Sequence, residues 1–377
     1  MVNKNSSSAF VKFDRVQKSY DGETLVVKDL NLEVPKGEFL TMLGPSGSGK
    51  TTCLMMLAGF ETATHGEIML NGISINNIPP HKRGIGMVFQ NYALFPHMSV
   101  AENLSFPLEV RKLDKATREE KVNRALDMVE MGEFKGRRPA QLSGGQQQRI
   151  ALARALVFEP ELVLMDEPLG ALDKQLREKM QFEITGLAHR LGITVVYVTH
   201  DQTEALTMSD RIAVMNQGEL EQIGSCQNVY EAPRTPFVAT FVGENNAFYG
   251  KVKSIKGDMV NVSADGNNFL AKAGDISEGK KYAFKKNDDV IMFVRPESIF
   301  LKDQNNHADN MFTAGFKTIE FEGNLKNIYL NIEGKQDVRL SVSNAVNTTD
   351  LSNSKNVELK FSSQDAVVLP TGPLAVD

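Results

Sequence analysis

Short, continuous apolar runs recur in the first two thirds of the chain and predict buried strands. Three of them occupy residues 38–43, 162–165 and 194–198. Runs of this kind are typical of parallel strands that helices cover on both faces. Residues 52–57 predict the start of a helix, and residues 158–242 alternate between strand and helix patterns. The pattern favours an α/β sheet with crossover helices.

Residues 91–157 have apolar positions at helical spacing instead, which predicts a largely helical insertion. Asp114 can cap one helix. The apolar stripe of that helix consists of Val122, Ala125, Leu126 and Val129. Residues 146–156 predict a second helix. Its inner face should carry Ile150, Ala153 and Leu156 or Val157.

The pattern changes again after Gly243. Short alternating runs at 248–252, 259–262 and 290–294 are separated by Gly, Asn and Asp clusters. Such runs predict strands of a small all-β domain. We therefore expect two domains, residues 1–243 and residues 244–377, in a chain long enough to bury two cores.

A glycine-rich turn follows the first of the three buried runs. It reads Gly44-Pro45-Ser46-Gly47-Ser48-Gly49-Lys50-Thr51 and leads into Thr52. The pattern G-x-x-x-x-G-K-[ST] between a strand and a helix predicts a loop whose backbone N–H groups bind the phosphates of a nucleoside triphosphate. Lys50 would contact the β- and γ-phosphates, and the Thr51 hydroxyl would coordinate Mg²⁺. A tight strand-to-helix connection is the alternative explanation of the glycines.

Two carboxylates end the next buried run. Asp166 and Glu167 directly follow residues 162–165, which places Asp166 at the carboxyl end of a parallel strand. There it can hold the metal through water, and Glu167 can act on the attacking water as a general base or orienting group. A salt-bridged acidic turn is the alternative.

The peptide Ser143-Gly144-Gly145-Gln146 precedes the second predicted helix of the insertion. Ser143 is a favourable N-cap. The two glycines allow a phosphate to approach the exposed N–H groups at the positive end of the helix.

With Leu142 and this peptide, the chain resembles the ATP-binding subunits of ABC transporters over at least residues 11–242. That resemblance implies ATP and Mg²⁺ as ligands and assigns roles to further residues. Tyr20 stacks on adenine, Gln90 senses Mg²⁺ and the γ-phosphate, His200 contacts the γ-phosphate, and the loop Gly170-Ala171-Leu172-Asp173 crosses a dimer interface. In isolation, three of them have a simpler explanation: Tyr20 as a surface aromatic, Gln90 as an ordinary loop residue and His200 as a core histidine.

The same resemblance implies that two copies pack head to tail around two ATP molecules. The phosphate loop of one copy and residues 143–146 of the other then hold each nucleotide. The implied catalytic residues are Lys50, Gln90, Glu167 and His200, and the implied metal-site residues are Thr51, Gln90 and Asp166.

Further partners implied by the resemblance are two transmembrane permease subunits and, indirectly, an external substrate-binding protein. The chain would then lie on the cytoplasmic face of a bacterial inner membrane. Residues 92–98 are candidates for lining the groove that receives helices of the permease, with packing inside the insertion as an equal alternative.

Composition narrows the function classes. A net charge of −5 gives no basic surface and argues against nucleic acid as a partner. Two distant cysteines, Cys53 and Cys226, indicate a reducing compartment, and the six histidines lack zinc-ligand spacing. No run reaches the 18 or so apolar residues of a membrane span, so a pore would belong to other chains.

The C-terminal part carries a looser resemblance. Residues 294–297, Val-Arg-Pro-Glu, resemble a peptide of the oligonucleotide/oligosaccharide-binding-like (TOBE-type) regulatory domain of importer ATPases. The whole chain is most similar to the ATP-binding subunits of spermidine/putrescine-type importers, and residues 241–246 favour that group over the sugar importers. Opine, ferric iron, sugar and other small-solute importers stay as alternatives. A soluble ABC ATPase of DNA repair or translation, or a non-hydrolysing regulatory protein, is less well supported.

Overall fold

The computed structural model describes residues 9–277, 279–302, 304, 307–332, 336–348, 351 and 356–375. The chain forms two compact units, Met1–Cys226 and Gln227–Asp377. This division comes before Gly243, where the sequence pattern changes, because residues 227–243 belong with the second unit. Arg295, for example, donates to the backbone oxygen of Tyr230 at 2.6 Å. Where the nucleotide-binding domain ends in functional terms stays a prediction.

The first unit contains ten strands and six helices in its described part. The strands are β1 (Val11–Ser19), β2 (Leu25–Val34), β3 (Phe39–Leu43), β4 (His65–Leu70), β5 (Ile73–Ser74), β6 (Gly86–Val88), β7 (Leu162–Asp166), β8 (Thr194–Thr199), β9 (Arg211–Asn216) and β10 (Glu219–Ser225). The helices are α1 (Lys50–Ala58), α2 (Val100–Val110), α3 (Lys115–Met128), α4 (Gly144–Leu156), α5 (Lys174–Leu191) and α6 (Gln202–Met208).

The central sheet of this unit has the strand order β10-β9-β3-β8-β7-β6. Strands β9, β3, β8, β7 and β6 pair in parallel, and β10 is an antiparallel edge. All residues of β3, β7 and β8 are buried, which confirms the three buried strands that the apolar runs predict. A second, antiparallel sheet has the order β2-β1-β4-β5.

Helices α2, α3 and α4 form the predicted insertion around a core of their own. Asp114 caps α3 by accepting from the Thr117 N–H at 3.0 Å, as predicted. Helix α4 is buried on more than the predicted inner face. Ile150, Ala153 and Val157 pack in the insertion core, whereas Leu156 packs with β7 residues. Helix α4 therefore lies between the insertion and the central sheet.

The second unit is mainly β-structure after two short helices, α7 (Cys226–Glu231) and α8 (Pro236–Phe241). Its strands are β11 (Asn246–Lys256), β12 (Met259–Ala264), β13 (Asn267–Ala273), β14 (Asp275–Ser277), β15 (Lys280–Lys281), β16 (Asp289–Val294), β17 (Ile299–Leu301), β18 (Asn310–Glu322), β19 (Leu325–Ile332), β20 (Gln336–Ser343), β21 (Val357–Phe361) and β22 (Ala366–Pro370). Strands β11, β12, β13, β22 and β16 close a barrel, and β17, β21, β18, β19 and β20 form a sheet. The all-β prediction for this region is confirmed.

Four phenylalanines form the centre of the second unit's core. Phe269 lies 5.3 Å from Phe248, 5.7 Å from Phe312 and 5.5 Å from Phe361, measured between ring centroids. Phe269 and Phe312 meet edge to face, which is a favourable aromatic geometry. This cluster gives the unit a hydrophobic core of its own.

Candidate active site

The carboxyl ends of four parallel strands meet at one edge of the central sheet, where α/β folds place their ligands. The glycine-rich loop follows β3, Gln90 follows β6, Glu167 follows β7 and His200 follows β8. Chain topology alone therefore brings together residues that are far apart in sequence.

Steric constraints explain the glycines of the loop. Gly49 has φ +93°, in the left-handed region, and a Cβ on it would lie 2.8 Å from the backbone oxygen of Val26. A Cβ on Gly44 would lie 2.2 Å from the backbone oxygen of Met215. Neither position accepts a side chain, so the loop stays close to the neighbouring backbone and its N–H groups stay accessible.

Lys50 is buried at the start of α1. Its ammonium donates to the backbone oxygens of Gly44 at 2.8 Å and Pro45 at 2.9 Å. Burial lowers the pKa of Lys50, and the carboxylates of Glu167 and Asp166 partly oppose that shift. A cation next to a helix N-terminus, within its own loop, makes this position strongly electropositive and suited to phosphate.

Thr51 and Asp166 meet beside Lys50. The Thr51 hydroxyl donates to Asp166 Oδ1 at 3.1 Å, and Asp166 is buried at the end of β7. Burial raises the pKa of Asp166, while the Thr51 hydrogen bond and the charge of Lys50 oppose the rise. One carboxylate and one hydroxyl are hard oxygen donors of the kind Mg²⁺ takes along with water and nucleotide phosphates, so the pair fits the predicted metal.

The side chains that follow strands β6 and β8 meet that of Glu167, which follows β7. Its backbone has φ 43°, in the left-handed region, and its N–H donates to the Val198 oxygen of β8 at 2.9 Å. Glu167 Oε2 accepts from Gln90 Nε2 at 3.1 Å, and Oε1 lies 3.1 Å from His200 Nδ1. An amide and an imidazole thus fix the carboxylate beside the Thr51–Asp166 pair, where it can orient a water molecule and accept its proton.

Other predicted site residues lie apart from this cluster. Ser143 and Gln146 cap α4 reciprocally, with Ser143 N–H donating to Gln146 Oε1 at 2.9 Å. Within the described residues, residues 143–146 make no hydrogen bond to the phosphate loop. Asp173 caps α5 by accepting from Leu176 N–H at 3.0 Å. Their contacts with nucleotide stay predictions.

Tyr20 follows β1 and is 60% exposed. The Lys18 ammonium lies 4.7 Å from the centroid of its ring. An exposed ring with one face next to a cation can accept a base, and its role stays a prediction.

Residues 92–98 fold back onto the insertion. Tyr92 is buried, and Phe95 N–H donates to Asn103 Oδ1 of α2 at 2.8 Å. The Phe95 ring lies 4.9 Å from that of Phe106, while His97 is exposed. Packing inside the insertion therefore accounts for Phe95, whereas Tyr92 packs with residues of α4 and the central sheet. A role of residues 92–98 in binding a permease stays a prediction.

Sequence reasoning missed a buried polar network behind His200. Tyr197 and Thr199 donate to Glu204 Oε2 at 2.8 and 2.7 Å. Arg177 donates to Asp201 Oδ2 at 3.2 Å and to the Leu172 oxygen at 3.1 Å, which joins the loop before Asp173 to the segment after His200. The Asp-x-x-Glu spacing of 201–204 signals a helix cap, but nothing in the sequence signals these longer-range partners.

Comparisons with known proteins agree with this geometry. A family model described as ABC transporter matches residues 27–170. The spermidine/putrescine import ATP-binding protein PotA of Bacillus thuringiensis subsp. konkukian is 40% identical over 360 residues, which cover 95% of this chain and 98% of the relative. The protein of the same name from Clostridium novyi is 47% identical over 295 residues, covering 78% and 81%.

Two solved structures are also similar. A dimeric ATP-binding cassette in a post-hydrolysis state, bound to ADP and phosphate, is 36% identical with a TM-score of 0.52, covering 57% of this chain and 98% of that one. The cbiO1 protein of Clostridium perfringens, part of an ABC transporter complex, is 27% identical with a TM-score of 0.54, covering 59% and 90%. Across the described residues, no helix has the length and apolar character needed to cross a bilayer.

Proposed function

We propose that this chain, which belongs to the ATP-binding subunits of ABC transporters, drives the import of a polyamine such as spermidine or putrescine. Its similarity to import ATP-binding proteins over most of its length makes it an importer ATPase. The polyamine assignment is supported by relatives of that name whose similarity extends over 95% of the chain. The chemistry is supported chiefly by one observation, the convergence of Gln90 and His200 on Glu167 beside the Thr51–Asp166 pair.

In the proposed mechanism, Lys50 and the loop N–H groups bind the β- and γ-phosphates. Thr51 and Asp166 would hold Mg²⁺, which offsets the negative charge of the transferring phosphoryl group. Glu167 accepts a proton from the attacking water, and Gln90 and His200 keep its carboxylate oriented. Lys50→Ala should lower both nucleotide affinity and turnover. Unchanged ATP affinity by calorimetry would show that the loop does not bind phosphate in this way.

We propose that each active site is shared between two copies. Support comes from two observations: residues 143–146 hydrogen-bond each other and make no described hydrogen bond to the phosphate loop of the same chain, and a related cassette is dimeric. Mixing Lys50→Ala chains with Ser143→Arg chains should create one site with both lesions and one with neither, and ATPase activity should return. Full activity of Ser143→Arg as an isolated monomer would contradict a shared site.

The further proposed partners are two permease subunits and an external substrate-binding protein, with the chain at the cytoplasmic face of a bacterial inner membrane. Helices α2 and α3 enclose a cavity of about 460 Å³, which is lined in part by Met98, Phe106 and Val122. This cavity is a candidate binding site for a permease helix.

Uptake of labelled putrescine and spermidine by cells carrying Glu167→Gln tests the cargo. We expect uptake to be lost while uptake of sugars and ferric iron continues. Intact polyamine uptake with loss of another solute would replace the proposed cargo.

A further inference from the structure

The loop that carries Gln90 contains a strained turn. Tyr92 has φ 61° and Ala93 has φ 47°, so two consecutive non-glycine residues are left-handed. Tyr92 N–H donates to the Phe89 oxygen at 2.9 Å, and Ala93 N–H donates to the Asn91 oxygen at 2.7 Å. Such a conformation persists only where surrounding groups hold it in place.

The group that holds the turn is the guanidinium of Arg154. Its Nη2 donates to the Tyr92 oxygen at 2.8 Å, and its Nη1 donates to the Ala93 oxygen at 2.7 Å. Arg154 is 9% exposed, and its guanidinium carbon lies 5.7 Å from the centroid of the Phe95 ring. Among the described residues, no carboxylate lies within ion-pair distance of it. The planar fork therefore binds backbone oxygens of this turn, a geometry that lysine does not reproduce.

Arg154 lies on α4, the helix that begins after Ser143. Arg154 lies about three helical turns after the Ser143 N-cap. At the other end of the loop, Gln90 Nε2 contacts Glu167 Oε2 at 3.1 Å. A short chain of contacts thus runs from α4 through Arg154 and the turn to the carboxylate of Glu167.

We propose that Arg154 is a positioning residue that fixes the orientation of Gln90 relative to α4. Displacement of α4, for instance when its N-terminus meets a nucleotide, moves the Tyr92–Ala93 turn and changes the contact between Gln90 and Glu167. This inference rests on the proposed roles of Gln90 and Glu167 in ATP hydrolysis.

The first test is Arg154→Lys in the full-length chain. It keeps the charge but loses the paired donors, so kcat for ATP should fall about tenfold. A tenfold change corresponds to a coupling free energy within the range measured for residues in contact. The KM for ATP should stay within about twofold, because Arg154 does not touch the phosphate loop. Arg149→Lys is the matched control, since Arg149 lies on the same helix and donates to Val129 and Glu183 instead. Equal kcat values for the two variants would overturn the proposal.

A double-mutant cycle with Gln90→Ala separates positioning from general stability. If Arg154 acts through Gln90, the double variant should be no slower than Gln90→Ala alone. If the two substitutions lowered kcat by the product of their separate effects, Arg154 would not act through Gln90. Ala93→Gly should restore at least half of the kcat lost in Arg154→Lys, because glycine adopts the left-handed turn without strain. No rescue would also count against the proposal.

The outcomes distinguish this inference from the proposed function. Normal turnover in Gln90→Ala would refute the role of Gln90 in hydrolysis. Slow turnover in Gln90→Ala with normal turnover in Arg154→Lys would refute only the role of Arg154. Should Arg154→Lys not fold, as judged by circular dichroism, Arg154→Gln provides the same comparison without a buried ammonium.

Discussion

The two units of the chain use buried polar groups in different ways. In the first unit, Lys50 and Asp166 are buried at the carboxyl edge of the sheet, where burial disfavours the charged form of each and shifts their pKa values. In the second unit, the buried amide of Asn310 accepts from the Leu270 N–H at 2.7 Å and donates to the Leu270 oxygen at 2.9 Å. The first unit thus retains costly charges where a phosphate and a metal can meet them. In the second unit the Asn310 amide joins two strands, and the buried guanidinium of Arg295 is bound by the backbone oxygens of Glu244 and Tyr230.

The largest expected effect that tests this contrast is on turnover. Glu167→Gln keeps the size of the side chain but removes the proton acceptor, so kcat should fall by a factor on the order of 10²–10⁴. Nucleotide affinity should change little, and an ATP-bound dimer should accumulate. Phosphate release measures kcat, and size-exclusion chromatography detects the ATP-bound dimer. Glu133→Gln on the exposed surface is the control. Near-normal turnover would show that Glu167 does not activate the water.

The complementary change is in the aromatic core of the second unit. Phe361→Ala should destabilise that unit by about 3–5 kcal/mol, the usual cost of removing a buried ring. ATP affinity should be unchanged, since the predicted nucleotide-binding residues lie in the first unit. Calorimetric unfolding checks the first expectation and nucleotide titration the second. Phe321→Ala is a suitable control because Phe321 is 67% exposed. A parallel loss of ATP affinity would contradict the division of roles.

Chains ending at Cys226 and at Gly243 provide a smaller test of the same division. Both should bind ATP within about twofold of the full chain, because every nucleotide motif precedes Cys226. The chain ending at Gly243 should be less soluble, since Phe237 and Val238 are buried and would lose their second-unit surroundings. Sedimentation compares the solubility of the two chains, and nucleotide titration compares their ATP affinities. A soluble chain ending at Cys226 that binds no ATP would disprove the assignment of the site to the first unit.

The features that could be predicted from sequence are those with local signals. The strand before Gly44 and the strand before Glu167 are buried on both faces, and the short length of each apolar run, with turn residues after it, is sufficient to place them. Asp114 and Ser143 cap their helices through side chains that reach three residues along the chain. The strands and the loop place Lys50, Thr51, Asp166 and Glu167 of the proposed catalytic cluster, and the caps place the starts of α3 and α4.

The features that could not be predicted depend on distant partners. Arg154 binds residues about 60 positions earlier, and nothing at Tyr92 or Ala93 marks a left-handed turn, because neither is glycine. The second unit's barrel closes by a parallel pairing of β13 with β22, far along the chain. Tertiary packing, rather than local propensity, decides each of these.

The smallest predicted effect concerns stability and the charge of Asp166. Burial raises the pKa of this carboxyl in the folded state, so the ionised form costs stability. Below the ordinary aspartate pKa both states are protonated and the cost is absent. As pH rises, the unfolded state loses its proton first, and stability falls until the folded pKa is passed.

Asp166→Asn should therefore raise the melting temperature at pH 7, with the gain vanishing in acid, while Mg²⁺-dependent turnover is lost. Scanning calorimetry at both pH values, with the exposed Asp127→Asn as control, measures the difference. A lower melting temperature for Asp166→Asn at pH 7 would mean that Lys50 and Thr51 more than offset the cost of burial.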